Sequence, residues 1–319
     1  MPTFCRHNRF IQNCPICREP EPPRRPARRT AAGGTAAASR GTRASATGVK
    51  VRRVARSADD GYRNALVPGL RSSADAQRLA EEIAFAAGRL AELASAPGGL
   101  YAEAASEPDR EEGLWLAMLV AILGPLPGDD PFAGVRSARV RWADRTAPPL
   151  DGVPLGPRAG ARDAAGTRRA IAAYRAWAER AGGQGAALLG VQGWTPERRF
   201  DRAYERLGAL PGFGRPARYD LLVTLGRLGL AEVRADALHV GDGDDASLAA
   251  RRVFGIADRF LLERRAGDLA EACDVPLEAL DLALANFGSD RGRITQGASP
   301  DATDAAAEER AAAALGVRA

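Results

Sequence analysis

The chain has 319 residues, 45% hydrophobic and 27% charged, with 45 Lys plus Arg against 40 Asp plus Glu and a net charge of +5. That length holds one substantial domain or two small ones with apolar residues enough for a core, so the chain is globular over most of its length. The longest apolar run, Leu114 to Leu126, is too short to span a bilayer, and no basic stretch followed by an apolar core opens the sequence, so the expectation is a soluble, cytoplasmic protein with no membrane contact.

Residues 1–18 form the first unit. Cys5, His7, Cys14 and Cys17 follow the spacing C-x-H-x6-C-x2-C, three of the four cysteines and one of the two histidines of the chain. Three thiolates and one imidazole make a closed Cys3His shell of the structural zinc type, whereas a disulfide would strand one thiol and need an oxidising compartment. All four ligand positions are filled by protein, so the zinc is expected to be structural. Arg6 and Arg9 beside it offer a contact to nucleic acid or a protein partner, and a solvated rim explains them equally well.

Residues 19–58 turn abruptly to Pro, Arg, Ala, Gly, Ser and Thr, a composition that cannot bury a core and predicts a disordered basic linker. Its arginines would add salt-sensitive, sequence-independent affinity for nucleic acid, or simply keep the tether solvated. Lys50 is the only lysine of the chain. The arginine bias fits a GC-rich genome, although arginine also suits bidentate phosphate contact.

From residue 59 to 299 the pattern predicts an all-α domain. Ser72 or Ser73 can cap a helix with Leu79, Ile83, Ala87, Leu90 and Ala94 on its buried face. Trp115 to Leu126 is apolar all round and is expected at the centre of the core. Thr146 to Gly166 reads as a long surface loop, and Gly166 to Ala181 as a helix presenting Ile171, Tyr174 and Trp177. Thr195 is a natural N-cap with Pro196 at the first helical position, and Phe200, Tyr204 and Leu207 share one face.

Leu210-Pro-Gly-Phe-Gly-Arg then interrupts that helix, and a second begins near Pro216 with Leu221, Leu222, Leu225 and Leu228 as its apolar face. The unit reads as helix, glycine hairpin, helix. Gly212 and Gly214 let backbone amides approach an anion without Cβ interference, and the following helix N-terminus adds unpaired donors and positive partial charge. Arg215 and Arg218 lie in that first turn, where a cation is poorly placed unless an anion is nearby, so Gly212, Gly214, Arg215 and Arg218 are the candidate phosphate contacts. Such contacts give affinity and register but read no base sequence. An ordinary helical turn with a glycine cap is the plainer alternative.

Ala231 to Val240 is the one segment with strand character and is expected to form a small hairpin. Asp245 can cap Ala246 to Phe254, and Pro276 opens a last strong helix carrying Leu277, Leu280, Leu284 and Phe287. Residues 300–319 read as an Ala/acidic tail. Cys273 is expected to be a core thiol, and His239 a partly buried structural histidine or else a general base.

The order of an apolar helix (Leu114 to Leu123), the Leu-Pro-Gly-Phe-Gly hairpin and Arg234-Ala-Asp-Ala-Leu-His239 is similar to that of the helix-hairpin-helix DNA glycosylase superfamily. Trp194-Thr-Pro-Glu-Arg-Arg-Phe200, Tyr219-Asp-Leu-Leu-Val-Thr-Leu-Gly226, Ala250-Arg-Arg-Val-Phe-Gly-Ile256 and Leu277-Glu-Ala-Leu-Asp-Leu-Ala-Leu284 more closely resemble the alpha-glutamyl/putrescinyl thymine pyrophosphorylase family, clade 3. The resemblance covers Tyr62 to Gly297 and rests on the set, since each motif alone is weak. It implies a helical glycosylase-like domain acting on hypermodified thymine in DNA, phage DNA with modified bases included, where an amine replaces pyrophosphate on a 5-hydroxymethyl group.

By order, the resemblance makes Asp236 the best counterpart of the glycosylase aspartate that stabilises a developing sugar cation or activates the nucleophile. Asp242 and Asp220 are further catalytic candidates, and Asp244 and Asp245 lie nearby. Asp236 would otherwise be a turn residue. Strand-cutting glycosylases use a lysine amine, and Pro216 stands near the place such a lysine would occupy, so a glycosylase of this kind would be monofunctional. Three readings stay open: a DNA base-modifying enzyme, a monofunctional glycosylase in phage defence, and a non-catalytic DNA-binding module whose zinc knuckle recruits a partner.

Overall fold

The computed structural model describes residues 57–318 except 242 and 291. The proposed zinc ligands Cys5, His7, Cys14 and Cys17, the linker as far as residue 56, and Asp242 therefore lie outside the described residues. Among the described residues there are twelve helices and no strand, and no helix is long and apolar enough to cross a membrane.

The core is organised around α3 (Arg110–Leu123), which is short for its apolar content and so must be covered on every side. Asp109 caps it by accepting from the Glu111 amide at 2.9 Å, Glu111 and Glu112 complement the positive end, and every residue from Glu112 to Leu123 is buried. It packs against α2 (Gly99–Ser106), α4 (Ala133–Ala138), α5 (Ala164–Arg180), α6 (Gln184–Leu189) and α8 (Arg215–Arg227). Each large side chain buried there contributes about 1.5–3 kcal/mol.

A second group of helices is built on α1 (Ser73–Ser95), which packs along α11 (Leu277–Gly288) and α12 (Ala305–Leu315); α9 (Asp245–Phe254) and α10 (Arg259–Ala272) lie against α11. Leu79, Ile83, Ala87 and Leu90 of α1 are buried as expected, with Leu93 completing the stripe in place of the exposed Ala94. Leu280, Leu284 and Phe287 of α11 are buried together, and Cys273 is a buried free thiol whose pKa burial pushes up to about 11. The stretch read as a tail carries α12, which buries Ala307, Ala311, Ala312 and Leu315 and accepts the Tyr62 hydroxyl on the Leu315 carbonyl.

Three segments differ from the sequence expectation. Residues 146–163 form a loop, as expected, but one not confined to the surface: Leu150 and Arg158 are buried, and the amides of Gly156 and Gly160 donate to the carbonyls of Leu123 and Ile122, both at 2.9 Å. The segment turns inward because the end of α3 leaves carbonyls in the core that need donors. A side chain at residue 160 would meet Ile122 Cδ1 at 2.3 Å, so glycine alone permits that approach.

Ala231–Val240 is not a hairpin. Ala231, Val233 and Ala235 face inward while Glu232, Arg234 and Asp236 face out, the alternation of a strand with no partner strand. The Glu263 carboxylate of α10 instead accepts from the amides of Leu238 and Val240 at 2.6 and 2.8 Å. The cap of α9 is Asp244, whose Oδ1 accepts from the Ser247 amide at 3.1 Å, and Asp245 lies in the first turn.

Candidate nucleic-acid bend and the acidic site beside it

Helix α7 (Pro196–Gly208) starts where Thr195 Oγ1 accepts from the Arg198 amide at 3.3 Å, and it buries Phe200, Tyr204 and Leu207. The bend follows, and α8 opens behind Gly214, which supplies no side-chain cap. Phe213 is the anchor: it is buried and stacks on Tyr174 with ring centres 5.8 Å apart. The Gly214 amide donates to the Gly160 carbonyl at 3.3 Å, so the inward loop braces the bend from beneath.

Pro211 and Gly212 form the exposed outer edge, and the Gly212 amide has no partner among the described residues. Gly212 has φ +77, and a Cβ there would meet that of Ala170 at 2.9 Å, so both conformation and space require glycine. The arrangement leaves one unpartnered backbone donor at the exposed edge of the bend, beside the buried Phe213.

The arginines of the first turn are used differently from a pair of phosphate contacts. Arg215 is 8% exposed and turned inward: Nη1 reaches Asp244 at 3.1 Å, Nη2 reaches Asp281 and the Leu238 carbonyl, the latter at 2.7 Å, and Nε donates to the His239 carbonyl at 2.9 Å. Its helix-dipole conflict is relieved by two internal carboxylates. Arg218 is half-buried, donates to the Tyr204 carbonyl at 3.2 Å and lies 4.2 Å from the centre of the Tyr204 ring. Burial holds its pKa below the ordinary arginine value.

Asp220 belongs to the same buried network. Arg158, 4% exposed, donates through Nε and Nη2 to the two Asp220 oxygens at 2.7 and 2.9 Å and through Nη2 to Asp281, while Gln296 Nε2 also donates to Asp220. Burial alone would raise the Asp281 pKa, but Arg215 and Arg158 outweigh it and hold the carboxyl below its ordinary value. For Arg158 burial works downward, and Asp220 and Asp281 reverse it, leaving the guanidinium more firmly charged than usual. The inward loop, α8, α9 and α11 are thus tied behind the bend.

A second acidic group lies at the surface between α7, α10 and the extended segment. Asp236 is exposed. His239, held at φ +52, is clamped against Tyr204 and Phe200, with ring centres 4.1 and 5.9 Å away. Its Nε2 lies 3.0 Å from Asp201 Oδ1 on α7, both atoms are enclosed, and neither has a regular hydrogen-bond partner.

Burial, then the charges of Asp236 and Glu205, push the Asp201 carboxyl up to about 6. Burial, then Arg259, Arg215 and Arg218, push His239 down to about 4. Reading by sequence order singled out Asp236 and missed Asp201, although Asp201 precedes Tyr204 by three residues and so shares its side of the helix.

A cavity of about 260 Å³ opens elsewhere, lined by Pro125 to Pro127, Leu155, Pro157, Asp245, Arg293 and Gln296 among others. Asp236, Asp201 and His239 are not among its walls. Among the described residues no group of three or more His, Cys, Asp or Glu is placed to hold a metal ion.

No curated protein and no solved structure matches the chain. Residues 158–291 match the model of a family described as alpha-glutamyl/putrescinyl thymine pyrophosphorylase clade 3. That segment, to which the chain's similarity to this family is confined, runs from Arg158, through the bend and both acidic groups, past the 277–288 helix that supplies Asp281.

Proposed function

We propose that the chain is a DNA base-modification enzyme that acts on a flipped-out, hypermodified pyrimidine of the thymine type. In this reading α7, the bend and α8 form a helix-hairpin-helix of the glycosylase type that grips the backbone, and the reaction is amine-for-pyrophosphate substitution or cleavage of the glycosidic bond. The supporting observation is the unpartnered Gly212 amide at the exposed edge of the bend, next to Phe213 and the Gly160 contact, on the same pair of helices that carries Asp201 and borders Asp236. An exposed amide before a helix N-terminus suits a phosphate, and carboxylates nearby suit the chemistry of an extruded base.

Asp236 is proposed to face the positive charge that develops on the substrate. Asp220 serves this reading as the partner of Arg158 that fixes α8 behind the bend. Cys5, His7, Cys14 and Cys17 are proposed to hold a structural zinc, supported by their spacing alone, and the zinc unit to contact DNA or a protein partner.

The test is incubation with phage DNAs carrying different modified pyrimidines, followed by mass spectrometry of released bases and remaining nucleosides, with Asp236→Asn as control. Conversion of one modified nucleoside, lost in the variant, is expected. Tight, salt-sensitive binding with every nucleoside unchanged would make the chain a DNA-binding module instead.

A further inference from the structure

We propose that Asp201, paired with His239, is the general base of the site, taking the proton from the incoming nucleophile beside Asp236. This rests on the reading that the site acts on a base in DNA. Asp201 presents one oxygen inward to His239 Nε2 at 3.0 Å, yet its side chain remains 41% exposed, so the carboxyl is both held and reachable. The His239 ring is held by stacking on Tyr204 and contact with Phe200, and the His239 carbonyl is tied to Arg215.

Burial shifts both groups of the pair, and the charges around them add to it. His239 faces the cations Arg215 and Arg218 of α8 and Arg259 of α10, with Asp281 of α11 opposing them. Asp201 faces Asp236 of the extended segment, Glu205 and Arg202 of its own helix, and Glu263 of α10. Burial first, and then the anions near the carboxyl and the cations near the imidazole, push Asp201 up and His239 down. A base that is still ionised at neutral pH, but more basic than an ordinary aspartate, is well suited to proton abstraction.

In the step itself a C–N or C–O bond forms as the nucleophile's N–H or O–H proton passes to Asp201. The pyrophosphate or the base departs with the electron pair of the bond it leaves. Both versions of the proposed reaction need that proton removed.

The experiment is a carbon-13 NMR titration of the full chain with labelled aspartate, assigned with Asp201→Asn, followed in parallel on the His239 ring and repeated with a duplex carrying 5-hydroxymethyluridine. Expected are a carboxyl titrating near 6 and an imidazole that stays neutral down to about pH 5, with the Asp201 signal moving when the duplex binds. His239→Phe, which keeps a ring stacked on Tyr204, is expected to shift the Asp201 midpoint.

An Asp201 midpoint at the ordinary aspartate value, or a bound duplex that leaves its signal unmoved, overturns the base assignment and leaves the DNA reading standing. A duplex that fails to bind at low salt overturns the DNA reading, and the base assignment with it.

Discussion

Arg215, at the start of α8, and Asp281, on α11, meet in a buried ion pair although 66 positions separate them. Asp281 uses its other oxygen for Arg158, so one carboxylate holds two buried cations and with them the floor of the bend.

Replacing that carboxylate is therefore expected to be severe. Asp281→Asn leaves two buried guanidinium groups facing an amide, and the cost is about 3–5 kcal/mol, measured as a lower urea midpoint at neutral pH. Because the folded pKa lies below the unfolded value of 3.8, the stability from Asp281 is fully present above the unfolded value and is lost as pH falls through the folded one. A variant as stable as the parent would show that the network contributes nothing.

The bend depends on close approach of two glycines. Gly160→Ala would place a methyl group 2.3 Å from Ile122 Cδ1 and 2.7 Å from the Gly212 carbonyl. The expected outcome is a loss of about 1–3 kcal/mol with weaker duplex binding, since the same shift moves the Gly160 contact and the unpartnered Gly212 amide. Unchanged affinity in fluorescence anisotropy would separate the bend from DNA contact.

Asp201 and His239 contribute to stability with opposite signs. The folded Asp201 pKa of about 6 lies above the unfolded 3.8, so the folded state loses stability as pH rises between those values, and the penalty is complete above the higher one. His239, about 4 folded against 6.5 unfolded, favours the folded state above 6.5 and loses that contribution as pH falls toward the lower value. Asp201→Asn should thus raise the Tm at about pH 8 and have no effect below about pH 3.8, as read by calorimetry. Equal shifts at both pH values would remove the charge explanation.

Arg215 and Arg218 should separate cleanly. Arg218→Ala is expected to lower the slope of log affinity against log salt by about 1 if the guanidinium meets a phosphate. Arg215→Ala should instead lower the urea midpoint, because it strips Asp281 and Asp244 of their buried partner.

The zinc assignment has its own measurement. The purified full chain is expected to carry a single zinc ion by elemental analysis, and Cys14→Ser or Cys17→Ser to release it. A metal-free chain with wild-type DNA affinity would remove zinc from the account.

Much of the helical frame was legible because local rules agree with the final packing. The Thr195 cap, the Phe200, Tyr204 and Leu207 face, the bend at Gly212 and the all-apolar α3 all follow from spacing and backbone chemistry within a few turns. The extended segment was misread because alternation reveals which side chains point inward but not which group accepts its amides, here Glu263. The burial of part of the 146–163 loop was missed because polar and Gly-rich composition usually means surface, whereas the end of α3 called for donors in the core.

The sequence by itself determined where helices such as α7 begin, which faces of the strongly periodic helices are apolar and where glycine must sit at the bend, since capping, periodicity and φ are set by neighbours along the chain. Only the tertiary structure decided which charges are spent inside and which are left for chemistry. Arg215 went to Asp281 and Asp201 to His239, because the energy of a charge depends on burial and on partners that chain order does not reveal.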